Sequence, residues 1–532
     1  MLPEDYYFKN MTEDKLWQRY CGFLDLSMDD FMNIQRELLM DEIERIADST
    51  LGRKIMGDRK PGSVQEFRCT VPLTSYEDYR SYLGEKQEDA LAEKPCLWCH
   101  SSGRGGYFKW IPHSTEFMEK VVRNLIGCFI LSVTDDKGRV NIQPGFRVLS
   151  IIPPRPYASG WLLYSLAERI SCQIIPSIEE GEKLDFEERV QRAMQIALRE
   201  GADVAAATSS ILVKMGELFT KEARGVKLSP YMLNPRIISR LLRASLRAKK
   251  GQRPVLPKDL WPVEGIISSG MDSEIYKDEI AYYWGHQPYQ FYSSSDAGFI
   301  AMQAWNRKTM TFIPDSVFLE FIPQSEQAGC EKEHNCQPDT VLLNEVVEGK
   351  LYEVVITQLY GMPLLRYRTN DLIKITALKD DETGVNLPQM AFQRRVGETI
   401  NLASLSELDE KTIWQAISST GIKYTDWSAC KEYDGSKTFV RIYIELKEAR
   451  GANEVAGIIH ERLKAGDPDY RDIESYLGLQ PIRVTMLSPG TFERYTIEKR
   501  KEGLDLAHLK PRHINPPKPD VEQLLQLSKA DK

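Results

Sequence analysis

The stretch His100-Ser-Ser-Gly-Arg-Gly-Gly-Tyr-Phe-Lys-Trp-Ile-Pro112 places three glycines, two hydroxyl side chains and a lysine in one short loop after an apolar strand candidate. Glycines let backbone N–H groups turn toward an anion, serines donate hydrogen bonds, and a lysine supplies a mobile positive charge. The spacing departs from G-x-x-x-x-G-K-[ST], so a kinase-type or GTPase-type phosphate site is unsupported. By itself the loop admits two readings, a phosphate cradle and a Gly-rich turn that holds no ligand.

Working outward, the chain of 532 residues is too long for one ordinary domain, and a large domain with a smaller one is expected. Its 42% hydrophobic and 27% charged residues are an ordinary globular composition with ample core material. A formal charge of -8 argues against a sequence-wide polyanion binder, so no nucleic-acid partner is expected. The N-terminus lacks a basic segment followed by an apolar one. The longest apolar run, Leu125–Val133, falls short of the ~20 residues that span a bilayer, so no stable membrane insertion is expected. Nine cysteines without a regular framework suit a reducing compartment, and a cytoplasmic location is the expectation.

Periodicity gives an α/β reading. Phe31, Ile34, Leu38, Leu39, Ile43 and Ile46 share a helical face, with Asp29 and Asp30 placed to start the helix. A second helix begins at Asp185, has Glu188 at capping-box spacing, carries Phe186, Val190, Ala193 and Ala197 on one stripe, and stops near Gly201. Short β-rich runs at Arg147–Ile152, Val263–Ile267 and Leu351–Gln358 alternate with such helices, indicating a substantial central sheet. After about Leu387 the pattern changes. A strand at Thr438–Leu446, a helix at Val455–Leu463 and a strand at Ile482–Leu487 predict a small α+β domain, with Pro511–Pro519 as an extended arm.

The loop resembles the S-S-G-T-[ST]-x-G-x-x-K motif of the adenylate-forming superfamily, and more closely that of the Gretchen Hagen family of acyl-acid amido synthetases. Further stretches follow in that family's order. Phe67–Tyr79 is similar to its lead-in, and Phe291-Tyr-Ser-Ser-Ser-Asp-Ala-Gly298 resembles Y-x-[ST]-[ST]-E, followed by Ile313–Pro323 as the succeeding strand. Leu365-Arg-Tyr-Arg-Thr-Asn-Asp371 resembles R-Y-R-x-G-D, and Gly490-Thr-Phe-Glu with Leu509-Lys-Pro-Arg512 resembles the closing motifs. The similarity spans nearly the full chain. It implies an adenylate-forming α/β fold: residues 1–395 form a large N-terminal domain binding ATP and an acyl substrate, and 396–532 a small mobile α+β domain after a hinge.

The same resemblance assigns roles. Ser101, Ser102, Gly103, Arg104, Gly105, Gly106 and Lys109 would bind pyrophosphate, and Ser269-Gly270 would lie against adenine. Tyr292 would stack on adenine. Ser294, Ser295 and Arg368 would complete the nucleotide contacts, Ser295 donating to the α-phosphate. Asp296 would hold Mg²⁺, since a hard cation takes carboxylate and phosphate oxygens. Asp371 would accept from the ribose hydroxyls. Arg395 at the hinge would couple nucleotide state to domain rotation, and Lys510 would stabilise charge as pyrophosphate leaves. The implied partners are a small carboxylic acid and an amine or thiol acceptor. Tyr157, Trp161, Tyr164 and the helices from Phe186 to Phe219 would line the acyl pocket, or else be core. This chain departs from the family pattern in four ways: a loop one residue shorter, Arg104 for threonine, Asp296 for glutamate and Asn370 for glycine. A catalytically decayed nucleotide- or acid-binding protein is the alternative those changes motivate.

Other signals have plainer readings. Cys96-Leu-Trp-Cys-His100 spells the c-type haem pattern in a single copy, which reads as coincidence. Cys96 and Cys99 with Cys330, His334 or Cys336 form a loose zinc pattern, for which buried thiols are the preferred reading. The basic run Arg236–Arg253 reads as the solvated face of an amphipathic helix, with anionic lipid, nucleic acid or CoA phosphates as alternatives. His113, His286 and His460 have no partner spacing for nucleophilic catalysis, and no G-x-S-x-G elbow is present.

Overall fold

The computed structural model describes the chain except residues 101–108, 223–233, 270–272, 327–336, 396–398, 403–405, 435–436, 472–480, 502–511 and 530–532. The chain divides into two compact units, one containing Lys109–Gln393 together with the chain preceding residue 101, the other lying within Arg394–Lys532.

In the first unit, β1 (Leu97–His100) and β2 (Trp110–His113) pair antiparallel on either side of residues 101–109. Five strands then form a parallel half-sheet: β3 (Phe146–Ile151), β4 (Cys172–Ile175), β5 (Val204–Thr208), β6 (Gly265–Ser269) and β7 (Tyr289–Ser294). The remaining strands are β8 (Gly298–Gln303), β9 (Met310–Phe312), β10 (Val317–Pro323), β11 (Leu351–Gln358), β12 (Tyr367–Ala377) and β13 (Gln389–Arg395). Together they make one sheet in the order β10-β11-β12-β13-β9-β8-β7-β6-β5-β3-β4. Helices Ala158–Ala167, Phe186–Glu200, Ser209–Glu222, Pro235–Lys250 and Ser273–Trp284 connect the parallel strands, as parallel pairing requires.

Local chemistry explains these elements. Asp185 caps its helix with Glu188 reaching back, and Gly201 ends it at φ 93°, as the sequence predicts. The helix Met28–Ile46 carries Asp29 and Asp30 in its first turn, as expected, and its cap is Ser27, whose hydroxyl accepts from the Asp30 N–H at 3.1 Å. Its buried face shifts, to Phe31, Gln35, Leu39, Glu42, Ile43 and Ile46. Gln35 is buried because its amide accepts from Leu319 N–H and donates to the Pro314 and Val317 carbonyls, tying the helix to β10. The apolar run around Leu125–Val133 belongs to helix Thr115–Ser132, buried along most of its length in the core. Gly127 permits that depth, since a Cβ there would lie 2.5 Å from the Tyr20 carbonyl oxygen. No helix of the described residues is long and apolar enough to cross a membrane.

In the second unit, β14 (Thr399–Leu402) pairs with β15 (Ser406–Asp409). β16 (Tyr424–Asp434), β17 (Lys437–Leu446) and β18 (Ile482–Leu487) form a three-stranded sheet, β17 and β18 parallel. Trp427, Val440, Ile442, Ile444, Val455, Ile459 and Leu463 make its core. His460 lies in that core, its Nδ1 2.7 Å from the Tyr470 hydroxyl, a structural histidine. The expected extended arm differs at its last two residues, Lys518 and Pro519. The Ala429 N–H donates to the His513 carbonyl and the Asn515 N–H to the Ala429 carbonyl, so this stretch runs along β16, but Lys518–Lys529 is a helix that buries Leu524. Pro519 falls within its first turn, where a missing N–H costs nothing.

Candidate active site

Three of the motifs, the lead-in Phe67–Tyr79, Phe291–Gly298 and Leu365–Asp371, meet at the carboxyl end of β7 and the start of β12. The lead-in segment fastens to the R-Y-R stretch by backbone: the Thr74 N–H donates to the Arg366 carbonyl and the Arg368 N–H to the Thr74 carbonyl, each at 2.9 Å. Tyr79 joins them, accepting from the Leu365 N–H at 2.9 Å. Tyr76 locks β2 in the same way, its hydroxyl accepting from the Trp110 N–H at 2.8 Å. Lys109, immediately before β2, then donates to the Tyr367 hydroxyl at 3.0 Å. The end of the glycine loop and the head of β12 are thereby adjacent.

Asp371 is set by an irregularity in β12. Glu353 pairs with Leu372 and Val355 with Arg368, so three residues of β12 face the single residue Val354. Asn370 absorbs the extra length at φ 59°, the left-handed region that asparagine tolerates better than most residues. The Thr369 hydroxyl stitches the bulge, donating to the Val354 carbonyl at 2.7 Å and accepting from the Asp371 N–H at 3.1 Å. Asp371, 2% exposed, accepts from the Tyr292 hydroxyl at 2.8 Å.

That contact carries information about the sheet. Four strand-to-strand steps separate β12 from β7, about 19 Å in a flat sheet. The hydrogen bond therefore requires the sheet to curl strongly between them, and a bulge at Tyr292/Ser293 assists. Phe392 of β13 packs against Tyr292 with ring centroids 5.7 Å apart.

The turn after β7 is held through its backbone. The Gln358 side chain donates to the Asp296 carbonyl at 2.6 Å, and His113 Nε2 lies 2.9 Å from the Ser295 carbonyl. A carbonyl only accepts, so this contact fixes the proton on Nε2. Burial holds the His113 pKa down at about 4, the hydrogen bond to Ser295 opposing, and its Nδ1 is buried without a partner among the described residues. Burial pushes the neighbouring Cys99 thiol up, and the Asp296 carboxylate adds to the effect. The Ser294 hydroxyl is likewise buried with no partner among the described residues.

Several expected residues lie outside this description: Ser101, Ser102, Gly103, Arg104, Gly105, Gly106, Gly270 and Lys510, together with the side chains of Ser269 and Arg395. Tyr292, Ser294, Ser295, Asp296, Asp371 and Lys109 are placed as above. Arg368 is engaged by Glu353, a fully buried carboxylate, through paired contacts of 3.0 and 2.6 Å. Arg366 grips buried Glu320 in the same manner at 3.1 and 2.9 Å and also donates to the Arg68 and Val71 carbonyls. Glu320, Glu353 and Gln358 escaped the sequence reading, which considered His113 only as a nucleophilic-catalysis candidate. A polar residue inside an otherwise apolar strand, as Glu353 in Leu351–Gln358, was the available signal. Of the acyl-pocket candidates, Tyr157 is buried against His100 at 4.4 Å, whereas Trp161 and Tyr164 pack on Arg155. Cys96 is exposed and Cys99 buried, and no group of three or more His, Cys, Asp or Glu side chains suited to a metal occurs among the described residues. Cys330, His334 and Cys336 lie outside them.

Three family models match in order: the GH3 family N-terminal domain at residues 21–141, the central domain at 310–395 and the C-terminal domain at 410–518. A jasmonoyl–L-amino acid synthetase from Oryza sativa subsp. japonica is 27% identical over 295 residues. The match spans 50% of this chain and 48% of that protein's length. Among solved structures, an acyl acid amido synthetase in complex with 2,4-DB superposes with TM-score 0.67 at 18% identity, covering 99% of this chain and 97% of that one. A 2-hydroxyisobutyryl-CoA ligase in its postadenylation state gives TM-score 0.60 at 13% identity, covering 95% and 93%. Likeness at these identities establishes the fold.

Proposed function

Because this chain belongs to the GH3 family, we propose that it is an ATP-dependent acyl-acid amido synthetase. A carboxylate attacks the α-phosphate of ATP, giving an acyl-adenylate and pyrophosphate. The amine of an amino acid then attacks the acyl carbonyl and AMP departs, a far better leaving group than hydroxide. The observation that carries this reading is the Tyr292–Asp371 pair, which sets a ring beside a carboxylate suited to the ribose hydroxyls.

Other residues support it. The Ser294 hydroxyl at the end of β7, buried with no partner among the described residues, suits a phosphate oxygen, and ligands of parallel sheets bind beyond the carboxyl ends of strands. Lys109 brings positive charge to the pyrophosphate side, and Arg395 and Lys510 are assigned by resemblance to the hinge and to charge stabilisation. Asp296, a single carboxylate on the turn after β7, fits Mg²⁺ held chiefly by phosphate oxygens, where the ion would neutralise developing phosphate charge. In this proposal residues 1–395 form the substrate-binding domain, 396–532 the mobile domain, and the protein is cytoplasmic.

The test is acid-dependent pyrophosphate exchange measured across aromatic, fatty and amino acids. Exchange with at least one acid is expected, and Lys109→Ala and Asp371→Ala should each lower it by about 10²-fold or more. Tight ATP binding without exchange over the whole panel would overturn catalysis in favour of a binding protein. Product mass then separates acceptors: amide with amino acids supports the proposal, and thioester with CoA alone defeats the amide step.

A further inference from the structure

Helix Pro235–Lys250 does not bury the side its sequence advertises. Its packed face is Ile237, Ala244 and Ala248, at 0%, 0% and 4% exposure. The small alanines let it sit close to its neighbours, and Arg240 donates to the Ala197 carbonyl at 2.9 Å. The large aliphatic side chains Ile238, Leu242 and Leu246 point outward at 41%, 61% and 68% exposure. Their spacing of four residues sets them in one row along the helix. Among the described residues nine large hydrophobic side chains are exposed, and three of them are this row. Scattered singly such residues need no explanation; aligned on one helix they do.

The charge around the row is of one sign. Pro235–Lys250 contains six Arg or Lys and no Asp or Glu, in a chain whose total is -8. Arg236, Arg243, Lys249 and Lys250 are exposed and make no ion pair among the described residues. A solvated basic face accounts for these cations but not for Leu242 and Leu246.

We infer that this helix docks the protein peripherally on an anionic lipid surface. The aliphatic row enters the headgroup–acyl boundary, and the flanking Arg and Lys reach anionic headgroups, their stems lying along the apolar layer. Charge complementarity selects an anionic partner. The row is a convex ridge, which a yielding lipid layer accepts and a protein would have to meet with a matching groove. This is adsorption to one leaflet, and it calls for no segment that crosses the bilayer.

The test is sedimentation of the full chain with vesicles of phosphatidylcholine alone or containing roughly one-third phosphatidylserine. Binding to the anionic vesicles should exceed that to neutral ones by about tenfold and weaken as salt rises. Leu242→Asp with Leu246→Asp should abolish it while melting temperature and pyrophosphate exchange stay unchanged, both positions being at the surface. Arg243→Gln with Lys250→Gln should reduce it by about fivefold per charge. Equal binding to both vesicles, undiminished binding by the leucine variant, or self-association that the leucine variant reverses would each overturn the inference, the last in favour of a second copy of the chain. The readout is independent of turnover, so failure here and failure of the adenylation proposal are distinguishable.

Discussion

The Tyr292 hydroxyl donates a 2.8 Å hydrogen bond to Oδ2 of Asp371, a residue 79 positions later and 2% exposed. The two side chains that the family resemblance assigns to adenine and ribose are thus one unit before any nucleotide arrives. The bond orients the carboxylate in advance, which limits the reorganisation that binding would otherwise demand.

Tyr292→Phe removes that donor and keeps the ring. Loss of a donor to a buried carboxylate costs about 1–3 kcal/mol, so the urea midpoint should fall. The KM for ATP should rise more than kcat falls, because the ring still stacks while the carboxylate loses its orientation. Tyr292→Ala should raise KM further. Unchanged stability together with unchanged KM in the phenylalanine variant would show that the bond does neither job.

Asn370 occupies φ 59° in the bulge that presents Asp371. Asn370→Gly should preserve exchange activity. Asn370→Val should destabilise by about 2 kcal/mol, since a β-branched residue tolerates this region poorly, and activity should drop with it. Denaturant melts of both variants decide the matter: equal stability would mean that the bulge relaxes without the left-handed residue.

Arg366 and Glu320 form a buried ion pair, 5% and 0% exposed. Removing one partner leaves an uncompensated charge, so Glu320→Ala should cost about 3–5 kcal/mol. The double change Glu320→Leu with Arg366→Met should recover much of that loss in urea titrations. Glu353→Ala, whose partner Arg368 is 30% exposed, should cost less because solvent screens the stranded arginine. The reverse ranking would contradict the burial argument.

His513 sits between two carboxylates, Nδ1 2.6 Å from Glu410 and Nε2 2.7 Å from Asp426, and stacks on Trp427 at 4.4 Å. Burial lowers its pKa, but Asp426 and Glu410 outweigh that and raise it to about 9. A folded-state value above the ordinary ~6.5 means the imidazolium's stabilisation is complete below pH ~6.5 and lost as pH rises through about 9. The whole contribution is on the order of 3 kcal/mol. Denaturant melts at a series of pH values should show the stability gap between the native chain and His513→Gln narrowing across that window. A gap independent of pH would refute the charged assignment.

Short-range features were legible in the sequence because neighbouring residues decide them. The Asp185–Glu188 capping box, the stop at Gly201 and the tolerance of Asn370 for a glycine position all follow from bonds or sterics within a few residues. The cap at Ser27 was missed because Ser27, Asp29 and Asp30 compete for the same role, and only geometry selects the acceptor. The outward leucines of Pro235–Lys250 were illegible for a related reason. Helical period marks an apolar stripe, but the packed side depends on how closely the neighbour approaches, and here that side is Ile237, Ala244 and Ala248.

By itself, then, the sequence determined the family, through the order of its motifs, and the α/β alternation, through local periodicity. Tertiary structure alone decided which charges pair and what the site residues touch. Arg366 with Glu320 and Arg368 with Glu353 lie 46 and 15 residues apart, and Tyr292 meets Asp371 across four intervening strand steps. No local rule encodes those meetings. They exist because a twisted sheet curls until its apolar face is covered, and the polar residues carried inward must find partners there or cost the fold its stability.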